Sequence, residues 1–303
     1  MTKLLVIGGS GFVGSAVVRE LVRRPEFAEC CLTLPTRREA AARHLAVLPT
    51  ARIVEADVHD PAVLGRLVAG QDAVINLVGI LKGGEGTPYG GGFARAHVEL
   101  PRRIAAAARA AGVRRMVHVS ALKADADAPS GYLRSKAAGE AALREAGLEL
   151  TIFRPSVIFG AGDSFLGLFA RMARIAPFFP LACPRARFQP VWVGDVAAAV
   201  VESLQRAESI GACYDLCGPT QYELAQLVRY ATRAAGRPRP VIGLPDAVAW
   251  LQAWAMEFIP GGPMTRDNIR SMRIPSTCEA GCALPFGRVA TPLEAVAPGY
   301  LRG

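Results

Sequence analysis

Two residues carry the first chemical suggestion in this sequence: Tyr132 and Lys136, four positions apart in "PSGYLRSKAAGE". Side chains at that spacing share one face of a helix, so phenol and ammonium would project together. A tyrosine near pKa ~10 is a poor base at neutral pH, and a cation about 4 to 6 Å away stabilises its phenolate. The pair therefore predicts proton transfer at an alcohol or carbonyl carbon, with Tyr132 as acid/base and Lys136 lowering its pKa. With six tyrosines and only four lysines (Lys3, Lys82, Lys123, Lys136), about 0.08 such spacings are expected by chance.

A second constellation supplies what proton transfer alone lacks. Directly after the apolar run KLLVI comes "GGSGFVG", with Gly8, Gly11 and Gly14 at the entrance to a helix. One glycine allows a tight turn, another lets backbone approach a pyrophosphate, and the last lets helix and strand pack closely. The free N–H groups near Phe12 and Val13 would face phosphate oxygens. After the second apolar run, "LTLPTRRE" offers Thr36, Arg37 and Arg38 where an acid would hold a ribose hydroxyl. Two guanidiniums suit a 2′-phosphate, so NADP(H) is expected over NAD(H). Asp57 and Val58 follow the third run and are expected beside the adenine; Leu77, Val78 and Gly79 follow the fourth and complete the cofactor-binding set.

These groups need a scaffold that brings several strand ends to one edge. Short apolar runs starting at Lys3, Cys30, Ala51, Asp72, Arg115 and Glu149 alternate with helical patterns over 12–24, 39–48, 61–69, 93–111 and 131–146. That order predicts βαβ units in an α/β fold: a doubly wound parallel sheet (Rossmann) covered on both faces, with a smaller C-terminal lobe. Residues 1–158 are expected to form the dinucleotide-binding domain, with strands returning to it around 187–216. Residues 159–303 are expected to form the lobe that meets substrate or partner. The glycine run "KGGEGTPYGGG", residues 82–92, reads as a mobile loop over the sheet's carboxyl edge.

Composition narrows the classes. Hydrophobic residues at 51% and charge at 20% supply a core and exclude a disordered chain. The net charge of +9 comes from scattered arginines, without the clustering that marks nucleic-acid binders. An odd count of seven cysteines predicts reduced thiols and no disulfide framework. Cys213/Cys217 and Cys278/Cys282 have gaps within the zinc range, but buried inert thiols are the expectation, and no metal. The apolar start MTKLLVIGG leaves no room for a targeting peptide, so a cytoplasmic location is expected. No apolar run is long enough to span a membrane.

His118 is expected in the core, satisfied, with His44 and His59 at the surface. Residues 244–260, "LPDAVAWLQAWAMEFIP", place Val248, Leu251, Trp254 and Phe258 on one helical stripe with Trp250 beside it. A membrane surface or a partner would suit two tryptophans there. Asp246, Glu257 and the lack of a basic face favour packing into the smaller lobe's core.

Together, "GGSGFVG", "VHVSAL" and "YLRSK" resemble a short-chain dehydrogenase/reductase of the extended type. Further along, "FRPSVIFGAGDSFLGLFARMARIAPFFPL", "RFQPVWVGDVAAAVV" and "DLCGPTQYELAQLV" resemble the branch of the nucleotide-binding accessory subunit of mitochondrial respiratory complex I and its bacterial relatives. The resemblance implies a pyrophosphate loop at Gly8, Gly11 and Gly14, acid/base chemistry at Tyr132, and a ribose anchor at Lys136. It also implies a backbone run beside the nicotinamide at Pro155, Val157 and Ile158. Ser120 is the expected polariser of the substrate oxygen, although related enzymes often place that serine where this chain has Ala121 or Leu122. His97 stands where extended members commonly carry asparagine. Two functions stay open: an NADP(H)-dependent oxidoreductase acting on an alcohol, ketone or sugar-like group, or a non-catalytic NADP(H)-holding accessory or assembly protein of a respiratory NADH:quinone oxidoreductase.

Overall fold

The computed structural model describes residues 2–259, 262–279 and 283–302. Seven strands form the main sheet: β1 (Lys3–Ile7), β2 (Cys31–Thr36), β3 (Ala51–Glu55), β4 (Ala73–Asn76), β5 (Arg115–Val119), β6 (Glu149–Pro155) and β7 (Cys213–Leu216). Their spatial order is β7-β6-β5-β4-β1-β2-β3, and every neighbouring pair is parallel. The order reverses between β1 and β4, which opens a crevice at their carboxyl ends.

The helices are α1 (Phe12–Arg23), α2 (Pro61–Val68), α3 (Leu100–Ala110), α4 (Gly131–Arg144), α5 (Leu166–Met172) and α6 (Val193–Ser203). They continue with α7 (Leu224–Ala234), α8 (Asp246–Glu257), α9 (Arg266–Ser271) and α10 (Leu293–Leu301). Alternation along the strands divides the core. Leu4, Val6, Val117 and Val119 pack with Val17 and Leu21 of α1 and Val196 and Val200 of α6. Leu5, Ile7, Met116 and Ile152 pack on the other face with Leu64, Ile104 and Leu143. Two buried faces explain why the central strands β1 and β4 read as apolar runs, while β3 at the sheet edge is only half-buried.

Of the strands expected to return around 187–216, only β7 enters the main sheet. Arg187–Phe188 pairs with Tyr222–Glu223, and Val191–Trp192 pairs with Ile158–Phe159. A third ribbon joins Phe179–Leu181 to Val241–Gly243. Phe159, Leu166, Leu227, Ala231, Leu293 and Ala297 form a separate core around α5, α7 and α10.

Four expectations are corrected. The helix expected over 39–48 is a 3-10 helix, Glu39–Leu45. The helix expected over 93–111 contains a π segment, Ala94–Glu99, before α3. Pro101 has no N–H to offer the carbonyl of His97, so the α-ladder cannot run through that turn. The glycine run 82–92 is anchored: Arg134 donates to the Pro88 carbonyl at 2.8 Å, and Arg270 pairs with Glu85 at 3.0 Å.

Cysteine chemistry is the fourth. Cys217 and Cys278, 61 residues apart, form a disulfide. The Gln189 N–H bonds the Ser276 carbonyl, and the Cys278 N–H bonds Gln189 Oε1. This lays 276–278 beside the strand end that carries Cys217, a proximity that sequence spacing cannot reveal. Cys30, Cys31, Cys183 and Cys213 are free thiols; Cys282 lies outside the described residues.

Candidate active site

The glycine turn is built for a close approach. Gly8 takes φ +86°, a conformation that disfavours any side chain, and a Cβ on Gly14 would strike the Gly8 carbonyl oxygen. Gly11 caps α1 without a side-chain hydrogen bond, and the first turn contains no acid. The N–H groups of Phe12 and Val13 are therefore left as donors at the positive end of the helix dipole, a site suited to an anion. This bare cradle fits a dinucleotide pyrophosphate.

From there the crevice runs to the tyrosine helix. Gly8 abuts Leu77 and Val78, whose backbone atoms lie 3.2 and 3.3 Å from its would-be Cβ; a Cβ on Gly79 would lie 3.3 Å from Lys136 Nζ. Lys136 is buried and donates to the Val119 carbonyl at 3.2 Å. Burial lowers its pKa to about 8, opposed by the carboxylate of Glu140 one turn on. Glu140 is itself clamped by Arg154 and Arg144 at 2.6 and 2.8 Å.

Tyr132 lies on the same helix, with its ring edge-on to His97 and Phe93 at centroid distances of 5.6 and 6.0 Å. Burial pushes its phenol up to about 12. Without nucleotide, burial thus outweighs the lowering expected from Lys136, whose ammonium donates to the Val119 carbonyl.

His97 is held in one tautomer. Its Nε2 accepts the Ile80 N–H at 3.0 Å, so the ring proton sits on Nδ1 and is donated to Ser135 Oγ at 2.9 Å. Ser135 in turn donates to the Tyr132 carbonyl at 2.7 Å. Burial, with Lys136 and His118 nearby, lowers the His97 pKa to about 2. The residue that replaces asparagine thus acts as a neutral strut behind the tyrosine. A Cβ on Gly139 would strike the His97 carbonyl oxygen, the group that Pro101 leaves free of the helix ladder.

His118 and Ser120 lie two apart in and just after β5. Asn76 Oδ1 accepts from the Val78 N–H, so its amide nitrogen donates to His118 Nδ1 at 3.1 Å. The imidazole proton is left on Nε2, which is buried without a partner. The expectation of a satisfied core histidine is corrected accordingly. Burial and Lys136 lower the His118 pKa to about 3. Ser120 Oγ is likewise buried without a partner. Unpaired polar groups in a buried crevice are costly unless a bound molecule meets them.

The remaining predicted residues lie around this crevice. Arg37 and Arg38 are exposed after β2. Asp57 accepts the His59 N–H at 2.9 Å and lies 3.8 Å from Arg95; Val58 packs at the edge of the β1–α2–α3 core. The Pro155 carbonyl accepts the Leu122 N–H, the Val157 carbonyl accepts that of Val191, and Ile158 pairs in register with Val191. Sequence reasoning missed Asp267 of α9. It is buried and accepts the backbone N–H groups of Gly131 and Tyr132 at 2.7 and 3.0 Å. Only the bare helix start "SGYL", with one capping side chain for three donors, hinted that a second acceptor was needed.

A parallel seven-stranded sheet, a bare glycine turn at its switch point and a Tyr/Lys helix at the same edge define a dinucleotide-fold protein of the short-chain dehydrogenase/reductase class. Residues 4–217 match the NAD dependent epimerase/dehydratase family, and the chain belongs to it. Among curated relatives, the NADH dehydrogenase (ubiquinone) 1 alpha subcomplex subunit 9 of Mus musculus is 34% identical over 74% of this chain and 59% of its own length. The chain thus spans about three fifths of that mitochondrial relative. The ceramide reductase of Caulobacter vibrioides is 32% identical over 82% of this chain and 77% of its own. Among solved structures, an NADPH-dependent quinone oxidoreductase of Escherichia coli shares the fold with TM-score 0.78 and 21% identity, covering 99% of this chain and 100% of the other. No helix among the described residues is long and apolar enough to cross a membrane.

Proposed function

We propose that this chain is an NADP(H)-dependent reductase of a ketone or sugar-like carbonyl. The observation that carries the reading is the placement of the pair: Tyr132 and Lys136 share one face of α4, with the Lys136 ammonium buried against the Val119 carbonyl and beside Gly79 at the crevice. A phenol carries its proton at neutral pH and can donate it to a carbonyl oxygen as that carbon is reduced.

Gly8, Gly11, Gly14 and the N–H groups of Phe12 and Val13 would hold the pyrophosphate. Arg37 and Arg38 would take the 2′-phosphate, Asp57 and Val58 the adenine side, and Leu77, Val78 and Gly79 the floor. Lys136 would anchor the ribose, and Pro155, Val157 and Ile158 would flank the nicotinamide. When bound, the dinucleotide supplies the hydride. Tyr132 then gives its phenolic proton to the substrate oxygen, Lys136 stabilises the phenolate left behind, and Ser120 Oγ–H polarises that oxygen. His97 holds the Tyr132 backbone through Ser135 and takes no proton.

A second reading is a non-catalytic NADP(H)-holding accessory or assembly protein of a respiratory complex. It is favoured by Ala121 and Leu122, both buried and without a hydroxyl where related enzymes often place one, and by the mitochondrial relative. NADPH oxidation across a carbonyl panel separates the two. Turnover lost in Tyr132→Phe with NADPH still bound supports the reductase; bound NADPH with no hydride transfer to any carbonyl supports the accessory role.

A further inference from the structure

The stripe expected in the smaller lobe's core is on the surface. Helix α8 buries only Ala249 and Ala253, against Ala182 and Ile269, while Leu251, Trp254 and Phe258 are 61%, 45% and 71% exposed. Trp250 packs against that small core beneath Arg270, while Leu251 and Trp254 on α8 and Phe258 at its end face outward, an apolar stripe that the helix's own domain does not cover. Trp254 and Phe258 stack edge to face at 5.2 Å and so present one continuous apolar ridge.

The ridge has neighbours of the same kind. Gln252 of α8 donates to the Pro180 carbonyl at 3.1 Å, setting the helix against the ribbon of Phe179–Leu181 and Val241–Gly243. That ribbon and the turn before it expose Ile175 (86%), Phe178 and Ile242. Scattered exposed apolar residues are ordinary, but a patch drawn from a helix, a ribbon and a turn marks a surface that something covers.

Charge identifies the occupant. Residues 164–194 and 224–245, which include the two ribbon strands, contain eight arginines and no acidic residue; Asp246, in the first turn of α8, is the acid that follows. Arg174 immediately precedes Ile175, and Arg237 and Arg239 lead into the ribbon strand, with Arg239 tied to the Ala173 carbonyl at 3.0 Å. On α8, Glu257 is neutralised by Arg266 at 2.8 Å. Tryptophan and phenylalanine at the centre with arginines at the rim match a lipid interface, where rings enter the acyl boundary and guanidiniums meet phosphates. A protein partner would need both an apolar groove and an acidic counter-surface; an anionic bilayer offers both layers at once.

We propose that this face of the lobe docks on an anionic lipid bilayer, with Leu251, Trp254 and Phe258 inserted and Arg174 and Arg237 on the head groups. The inference is independent of whether the crevice turns over. The test is flotation of the full chain with phosphatidylcholine vesicles, with and without phosphatidylglycerol, at low and high salt. Binding should require phosphatidylglycerol, weaken with salt, and fall roughly ten- to thirtyfold in Arg174→Gln with Arg237→Gln. Leu251→Ser with Trp254→Ser should abolish binding while the melting temperature and NADPH titration stay as in the parent. A folded chain that floats with neither vesicle overturns the proposal. So does binding indifferent to phosphatidylglycerol and salt, or a patch variant that loses only self-association or a protein partner.

Discussion

Asp267 and Tyr132 are 135 residues apart in sequence, yet the Asp267 carboxylate accepts the Tyr132 backbone N–H at 3.0 Å. Its other oxygen takes the Gly131 N–H, and Ser130 takes that of Leu133. The first three donors of α4 are thus capped, two of them by the distal lobe, and the negative charge lies at the favourable end of the helix dipole. Asp267→Ala leaves two donors unmet and should cost about 2 to 4 kcal/mol of stability, read as a lower urea midpoint. Asp267→Asn keeps one acceptor oxygen and should lose less. A parental midpoint in Asp267→Ala would refute the clamp.

Acid should unfold the protein through its buried histidines. His97 and His118 have folded pKa values lowered to about 2 and about 3, below the usual value near 6.5. Between those limits the unfolded chain binds more protons, so stability falls as pH drops through 6.5 and below. From pH 7 to about 5 each should remove about 2 kcal/mol. Chemical denaturation at several pH values reads the slope, and His97→Asn should reduce it by about half; an unchanged slope would show that His97 protonates freely in the fold.

Lys136 has the opposite consequence at high pH. Its folded pKa, lowered to about 8 by burial, lies below the usual value near 10.4. The cost of burying the ammonium is fully present below about 8 and is relieved as pH rises toward the unfolded value. Without nucleotide, stability should therefore gain up to about 3 kcal/mol across that window from this group. Lys136→Met should abolish the gain, as followed by urea denaturation; a parental slope in the variant would contradict the assignment.

Under non-reducing conditions, peptide mapping should recover the Cys217 peptide joined to the Cys278 peptide. Cys278→Ser should lower stability by about 2 to 4 kcal/mol. Quantitative alkylation of both thiols without reductant would rule the bond out.

Much of this was legible because the relevant patterns are local. The six early strands are set by short runs rich in apolar residues, and the glycine spacing and Tyr132/Lys136 each lie within seven residues. What escaped depends on contacts between distant segments. The Asp267 clamp and the Cys217–Cys278 bond join segments 135 and 61 residues apart, which spacing cannot foresee. Periodicity identified the α8 stripe but could not say whether it faced the core, since an amphipathic helix satisfies its pattern equally against another surface. The direction of the phenol's shift without nucleotide comes from its burial, which the spacing of Tyr132 and Lys136 does not carry.

The central claim is that the crevice between the glycine turn and Tyr132 holds a nicotinamide dinucleotide. Calorimetric titration of the folded chain with NADPH and with NADH tests it most directly, alongside Gly14→Ala and Arg37→Ala with Arg38→Ala. The account predicts saturable one-to-one binding, lost in Gly14→Ala and weakened more for NADPH than for NADH by the arginine pair. A flat titration with both nucleotides, from protein that melts cooperatively, would contradict it.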